Sequence, residues 1–260
     1  MQFGLHIPVH RTIEETNSTV VSYLSKNAKW ADGLGFESIS VLDHMSPFSK
    51  VGDAECPILD CWTVLGALAM LTSNTKLMPL VSNASLRHPS SIAKSAASLD
   101  VLSNGRMGLG IGAGGYKPEY IQHGFPYPNR AERYALLDES IQIIQQLWTG
   151  SNQYFEGVHH KLSNATISPR IVSQPSITVG GKSPEILNIA AAKADAVNIV
   201  MPNESELLET VKYINQLSDF YERTPIKLTT LERVLLAKNE SDLHDKLNTF
   251  YLEQIAKLRD

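Results

Sequence analysis

Short apolar runs along this chain alternate with stretches in which apolar residues recur every three to four positions. "FGLHI" (3–7) reads as a first strand. After it, Val20, Leu24, Ala28 and Ala31 share one helical face, with Thr16 to Ser18 as capping candidates. "SISVL" (38–42) is a second strand, and Asp60 is placed to cap a helix carrying Trp62, Leu65, Ala69 and Thr72. "KLMPLVS" (76–82) is a third strand. Pro89 stands where a helix starts, Ile92, Ala96 and Leu99 share its face, and Asn104-Gly105 ends it. "RMGLGIG" (106–112) is a fourth strand. A turn-rich gap follows, and then Tyr134, Leu137, Ile141, Ile144 and Trp148 mark a long helix that Gly150 stops. A small hairpin is expected around 153–162. "SITVGG" (176–181), "DAVNIV" (195–200) and "KLTTLERVLLA" (227–237) complete seven strands.

Strands separated by helices imply a parallel α/β sheet with right-handed crossovers. Two architectures fit this order: a doubly wound sheet and a (β/α)8 TIM barrel. The pattern shows no linker and no internal repeat, so residues 1–260 read as a single domain with an insertion around 113–130.

Composition narrows the function without naming it. The chain has 260 residues, 43% hydrophobic and 19% charged, with a net charge of −4 and no basic run. That balance suits a globular core and argues against nucleic acid and anionic membranes as partners. No apolar run reaches membrane-spanning length and no signal peptide is read, so a cytoplasmic location is expected. Cys56 and Cys61 have neither C-x-x-C spacing nor a metal-site pattern, and are expected to be reduced thiols. No metal site is expected: His159 and His160 are adjacent on a strand and point to opposite faces.

"GIGAGG" (110–115) fits G-x-G-x-x-G letter by letter. A dinucleotide fingerprint needs a first strand before it, a helix opening on it, and an acid ending the next strand. Here the motif follows the fourth strand. Glu132 has about the right spacing, but it begins the next helix, where an acid favours the positive end of the dipole. A second glycine pair, Gly180-Gly181, precedes a helix start at "KSPEIL". Glycines at such loops either relieve crowding at strand ends or bare the backbone for an anion.

Asp43 and His44 leave the second strand at its C-terminal end, the active face of a barrel. His44 is a candidate for proton transfer; the alternative is a polar pair that tidies a strand end. His6, Ser82 and Asn83 belong to segments that would face the same cavity, whereas Arg87 reads as structural.

Taken in order, "FGLHIP", "ADGLGFESISVLDH", "RHPSSIAKSAASLDVLSNGRMGLGIGAGGYKPEY", "AERYALLDESIQIIQQLWTG" and "ITVGG" resemble the luciferase-like monooxygenase and coenzyme F420-dependent flavin oxidoreductase family. The resemblance implies a (β/α)8 barrel and hydride transfer between F420, or FMN, and a small organic substrate. The family also includes shortened, non-catalytic flavin-binding proteins, which are the alternative. By resemblance His44 and Asp43 are the catalytic candidates. Pro79, Leu80, Val81 and Ser82 match a bulged strand end, often with a non-prolyl cis peptide, against the cofactor ring. Gly112, Ala113 and Gly114 match a loop near the cofactor tail, and Gly180 and Gly181 its phosphate site. Relatives that place a glutamate after the "G-x-G" have Gly115 here in its stead, and Glu119 matches a common family glutamate. The chain ends at "EQIAKLRD", where relatives continue into an eighth strand, so that strand is expected to be lacking or altered. Two open edges are a liability: either the last segment closes the gap, or a partner subunit covers it, or the chain is truncated, and of these a homodimer is the expectation. Sedimentation at micromolar concentration should give a dimer; a monomer would overturn this expectation.

Overall fold

The computed structural model describes residues 1–8, 17–46 and 58–257. Its strands and helices alternate as the periodicity implies. They are β1 (Gly4–His6), α1 (Asn17–Gly33), β2 (Ser38–Val41), α2 (Cys61–Ala69), β3 (Lys76–Pro79), β4 (Ser82–Asn83), α3 (Pro89–Leu102) and β5 (Leu109–Gly112). There follow α4 (Lys117–Gln122), α5 (Arg130–Thr149), β6 (Gln153–Glu156), β7 (Lys161–Ala165), β8 (Ile177–Gly180), α6 (Pro184–Lys193), β9 (Ala196–Val200), α7 (Glu204–Phe220), β10 (Lys227–Leu231) and α8 (Glu240–Lys257).

Apart from the antiparallel β6–β7 hairpin, every strand pair is parallel. The order is β1-β2-β3 and then β4-β5-β8-β9-β10, with Leu77 bridging to Met107 across the join. This is the curved wall of a barrel of the (β/α)8 type. Among the described residues no strand lies between β10 and β1.

Helix ends follow local chemistry. Asp60 accepts the Thr63 backbone N–H at 2.9 Å and caps α2. Asn129 and Glu132 form a reciprocal capping box on α5, which gives Glu132 a cap role. Asn104 and Gly105 take φ of 54° and 81° after α3, the left-handed turn that ends a helix. The capping candidates Thr16 to Ser18 and the thiol of Cys56 fall outside the residues described to side-chain level. The Cys61 thiol is buried, donates to the Val41 carbonyl at 3.4 Å, and has its ionisation pushed up by that burial and by the nearby Asp43 carboxylate.

The core lies between wall and helices. Ile39, Val41, Leu77, Leu109, Ile111 and Val179 are buried on the strands, and Leu65, Ile92, Leu137, Ile141 and Ile144 on the helices. Burial of both faces explains why the strands read as continuous apolar runs.

The strands differ from their expected extents chiefly at two places, and the fourth also starts at Leu109 rather than at 106. The segment 76–82 is two short strands, because its partner changes midway. Up to Leu80 the chain bonds to β2, with Leu80 N donating to Val41 O at 2.8 Å; from Ser82 it pairs with β5. The Leu80–Val81 peptide at the changeover is cis. The expected strand 227–237 ends at Leu231, since β9, its partner, ends at Val200. Beyond it Val234, Leu235 and Leu236 are exposed.

Gly110 is explained by the changeover. A Cβ there would lie 2.1 Å from the Pro79 carbonyl oxygen. Gly110→Ala is expected to destabilise the fold by about 3 kcal/mol through overpacking against backbone. A lowered urea midpoint with an unchanged m-value would show it.

Candidate functional site

The parallel strands end on one face of the wall, and the chain leaving β2 supplies two charged groups there. Adjacent residues in extended chain point opposite ways, and Asp43 and His44 diverge accordingly. Asp43, only 6% exposed, takes the fork of Arg87: Nε donates to Oδ2 at 2.8 Å and Nη2 to Oδ1 at 2.8 Å. Ser82 Oγ also donates to Asp43 Oδ2 at 2.7 Å, and Arg87 Nη2 reaches Asp60 Oδ2 at 2.7 Å. Burial works against the Arg87 charge, but the two carboxylates hold its pKa above the usual arginine range. One ion-pair network thus ties the end of β2 to β4 and to the cap of α2.

His44 turns the other way. Its Nδ1 lies 3.1 and 3.2 Å from the two carboxylate oxygens of Glu119, a residue with no exposed surface. Glu119 also accepts the Met45 backbone N–H at 2.6 Å. Burial alone would raise the Glu119 pKa. The hydrogen bond and charge of His44, with the backbone N–H groups of Met45 and Ser46, outweigh it and hold the carboxyl below its usual value.

Glu119 reaches this place through the glycine loop. Gly114 turns with φ of 72°, and a Cβ on it would lie 2.1 Å from the Tyr120 hydroxyl. That hydroxyl donates to Asn83 Oδ1 at 3.1 Å, tying α4 to β4. His6 stands on the neighbouring strand with Nδ1 3.0 Å from Ser40 Oγ.

These groups border a cleft of about 310 Å³, at the lower end of ligand-pocket sizes. Its walls are Asp43, His44, Val81 and Asn83 on one side and Gly112, Ala113, Gly114 and Gly115 on another; Tyr134, Gly180, Gly181, Lys182, Ser183 and Ile186 complete it. Val81 stands between the two glycine walls. A Cβ on Gly112 would come 2.7 Å from Val81 Cγ2, and one on Gly180 2.8 Å from Cγ1. At the far end Ser183 caps α6, accepting the Ile186 N–H at 3.4 Å, and donates to the Tyr134 hydroxyl at 3.1 Å. Arg130 Nε donates to the same hydroxyl at 2.9 Å, and Lys182 Nζ to Glu206 at 2.6 Å. A larger groove of about 510 Å³ lies between α5, α6 and α7, but of these lining residues it contains Tyr134 alone.

Eight of the ten expected residues border the cleft. Leu80 and Ser82 do not. The Leu80 backbone stays with β2 and the Ser82 hydroxyl, fully buried, is turned to Asp43. Asp43 borders the cleft with both carboxylate oxygens engaged, an arrangement suited to anchoring the strand end rather than to moving a proton. Tyr134 carries no sequence signal as a wall residue, because it falls on the apolar stripe of α5. His160 is buried and holds Glu139 at 3.2 Å. Among the described residues no group of His, Cys, Asp and Glu is arranged to hold a metal ion, and no helix is long and apolar enough to cross a membrane.

Arg87→Ala would leave a buried carboxylate without its partner, with an expected loss of about 3 kcal/mol. Arg87→Lys should recover only part of it, since an ammonium cannot make the fork. Urea denaturation of the two variants checks the order.

The chain resembles known proteins along most of its length. It is 31% identical over 222 residues to the F420-dependent glucose-6-phosphate dehydrogenase of Nakamurella multipartita, 85% of this chain and 64% of that protein. It is 32% identical over 140 residues to the pyrimidine monooxygenase RutA of Acinetobacter baylyi, 53% of this chain and 37% of that one. The chain thus spans less than two thirds of either relative. Among solved structures, the monooxygenase RslO1 from Streptomyces bottropensis superposes with a TM-score of 0.85 at 22% identity, over 100% of this chain and 79% of its own. An F420-dependent secondary alcohol dehydrogenase gives 0.77 at 20% identity, covering 88% and 68%. At those identities the likeness establishes the fold, and it agrees with the barrel wall described above. The family profile of luciferase-like monooxygenases matches residues 1–259, and this chain belongs to that family.

Proposed function

We propose that this protein is a flavin- or deazaflavin-dependent oxidoreductase acting on a small organic substrate, with F420 as the first choice of cofactor and FMN as the second. One observation carries the reading: a histidine held by a buried carboxylate faces the same cleft as two glycine walls and the N-terminus of α6. The F420-dependent dehydrogenases and the monooxygenases among its relatives support it.

The residues present fit such a group. Gly115 borders the cleft, and a Cβ on it would meet no protein atom within 4 Å, so that wall is bare where a ligand would lie. Val81 would support the planar ring. Gly112, Ala113 and Gly114 would line the path of the tail. Gly180, Gly181 and Ser183 would meet its phosphate at the positive end of α6, where backbone N–H groups favour an anion. When bound, the cofactor supplies a two-electron hydride donor or acceptor. His44 exchanges the accompanying proton, Glu119 and Met45 fix where that imidazole stands, and the Asp43–Arg87 pair keeps the strand end from moving.

Titration of the purified protein with oxidised F420, FMN and NADPH, followed by fluorescence, tests the proposal. F420 or FMN is expected to bind; binding of NADPH alone would overturn it. His44→Ala should leave cofactor affinity within about threefold and lower kcat about 10²–10⁴-fold with an accepted substrate. A flavin that binds without turnover, unaffected by His44→Ala, would mark a non-catalytic flavin-binding protein instead.

A further inference from the structure

Glu119 does more than fill space beside the strand end. It is the deepest charged group at the site, with no exposed surface, and lies 75 residues from His44 in the chain. An unpartnered carboxylate at that depth is costly. Glu119 is instead given partners from a single segment, the imidazole of His44 and the N–H of Met45. A charged carboxylate has no proton to donate and can only accept. The nitrogen facing it must therefore carry the hydrogen. Both oxygens lie within 3.2 Å of the same nitrogen, Nδ1, so the ring has one side committed.

We infer that Glu119 is a positioning residue that sets the tautomer of His44, placing the hydrogen on Nδ1 and the lone pair of the neutral ring on Nε2. The inference rests on the reading of His44 as the proton-exchanging group. It deepens that reading by naming the nitrogen that exchanges the proton and the residue that enforces it. The Met45 contact adds direction: the same carboxylate that accepts from the ring also holds the backbone next to it, so ring and main chain are fixed together. The other charges bordering the cleft are already committed elsewhere. Asp43 is bound by Arg87 and Lys182 by Glu206, so neither competes for Nδ1. The lowered pKa of Glu119 is consistent with a carboxylate that stays charged in this pairing.

The deciding measurement needs no bound cofactor. Long-range ¹H–¹⁵N correlation spectra of histidine-labelled protein distinguish the two tautomers, and His44→Ala identifies the His44 signals. The wild type should show the Nδ1–H form, and Glu119→Gln, whose amide can donate as well as accept, should show a mixture. An Nε2–H wild type, or an unchanged Glu119→Gln spectrum, would overturn the inference. Kinetics provide a second readout. Glu119→Gln should lower kcat about 10–100-fold, as loss of an orienting partner does elsewhere, with KM within about threefold. In a His44→Ala background the same substitution should cost nothing further, because it acts through His44. An equal loss in both backgrounds would make Glu119 merely structural and overturn the inference. Should Glu119→Gln fail to fold, the wild-type tautomer alone still decides. Should no flavin-type cofactor bind, the proposed function fails while the spectra continue to judge Glu119.

Discussion

The strand ends of this barrel are organised around the space that one side chain needs. Val81 enters between β5 and β8 at a point where neither neighbour can carry a Cβ: Gly112 and Gly180 would each place one within 2.8 Å of its methyl groups. Two residues earlier the Pro79 carbonyl imposes the same demand on Gly110. The chain can change partner from β2 to β5 only because these positions are bare. The same bareness leaves the cleft lined by backbone on two sides. Packing and the shape of the cleft therefore draw on one set of glycines, and a methyl group added at Gly112 or Gly180 would be felt in both.

The second organising feature is electrostatic. Adjacent residues at the end of β2 carry opposite duties because extended chain directs them apart. Asp43 goes inward to an arginine fork that joins three segments. His44 goes to the cleft, where Glu119 meets it from a helix that the glycine loop delivers. Each buried carboxylate is matched with donors of its own, so the two networks border the same cleft without sharing a partner. Such separation lets one hold the scaffold while the other is left for the proposed chemistry.

Family membership settles the scaffold more finely than the reaction. The relatives include F420-dependent dehydrogenases and monooxygenases, and the chain spans only part of each. Ring and phosphate are features F420 and FMN have in common, so glycine walls and the start of α6 would serve either. Under the proposed reading, the groups that would separate them stand at the α6 end of the cleft, where Arg130 and Ser183 donate to the Tyr134 hydroxyl at 2.9 and 3.1 Å and Lys182 donates to Glu206 at 2.6 Å.

The sequence by itself determined the alternation of strands and helices, the parallel α/β class, the helix boundaries at Asp60, Pro89 and Gly150, and the place of Asp43 and His44 at a strand end. All of these are local: they follow from periodicity, from which residues cap or break a helix, and from the fact that strand ends of a parallel sheet share a face. It also weighed against "GIGAGG" as a dinucleotide fingerprint, because the elements around it were in the wrong order. Only the tertiary structure decided what those glycines meet, that the third strand breaks where its partner changes, that Tyr134, still packed on the core stripe, also forms a wall of the cleft, and that Glu119 and Arg87 select different members of an adjacent pair. Those outcomes depend on contacts between segments about 30 to 75 residues apart, and no local pattern encodes the distance at which two backbones will pass.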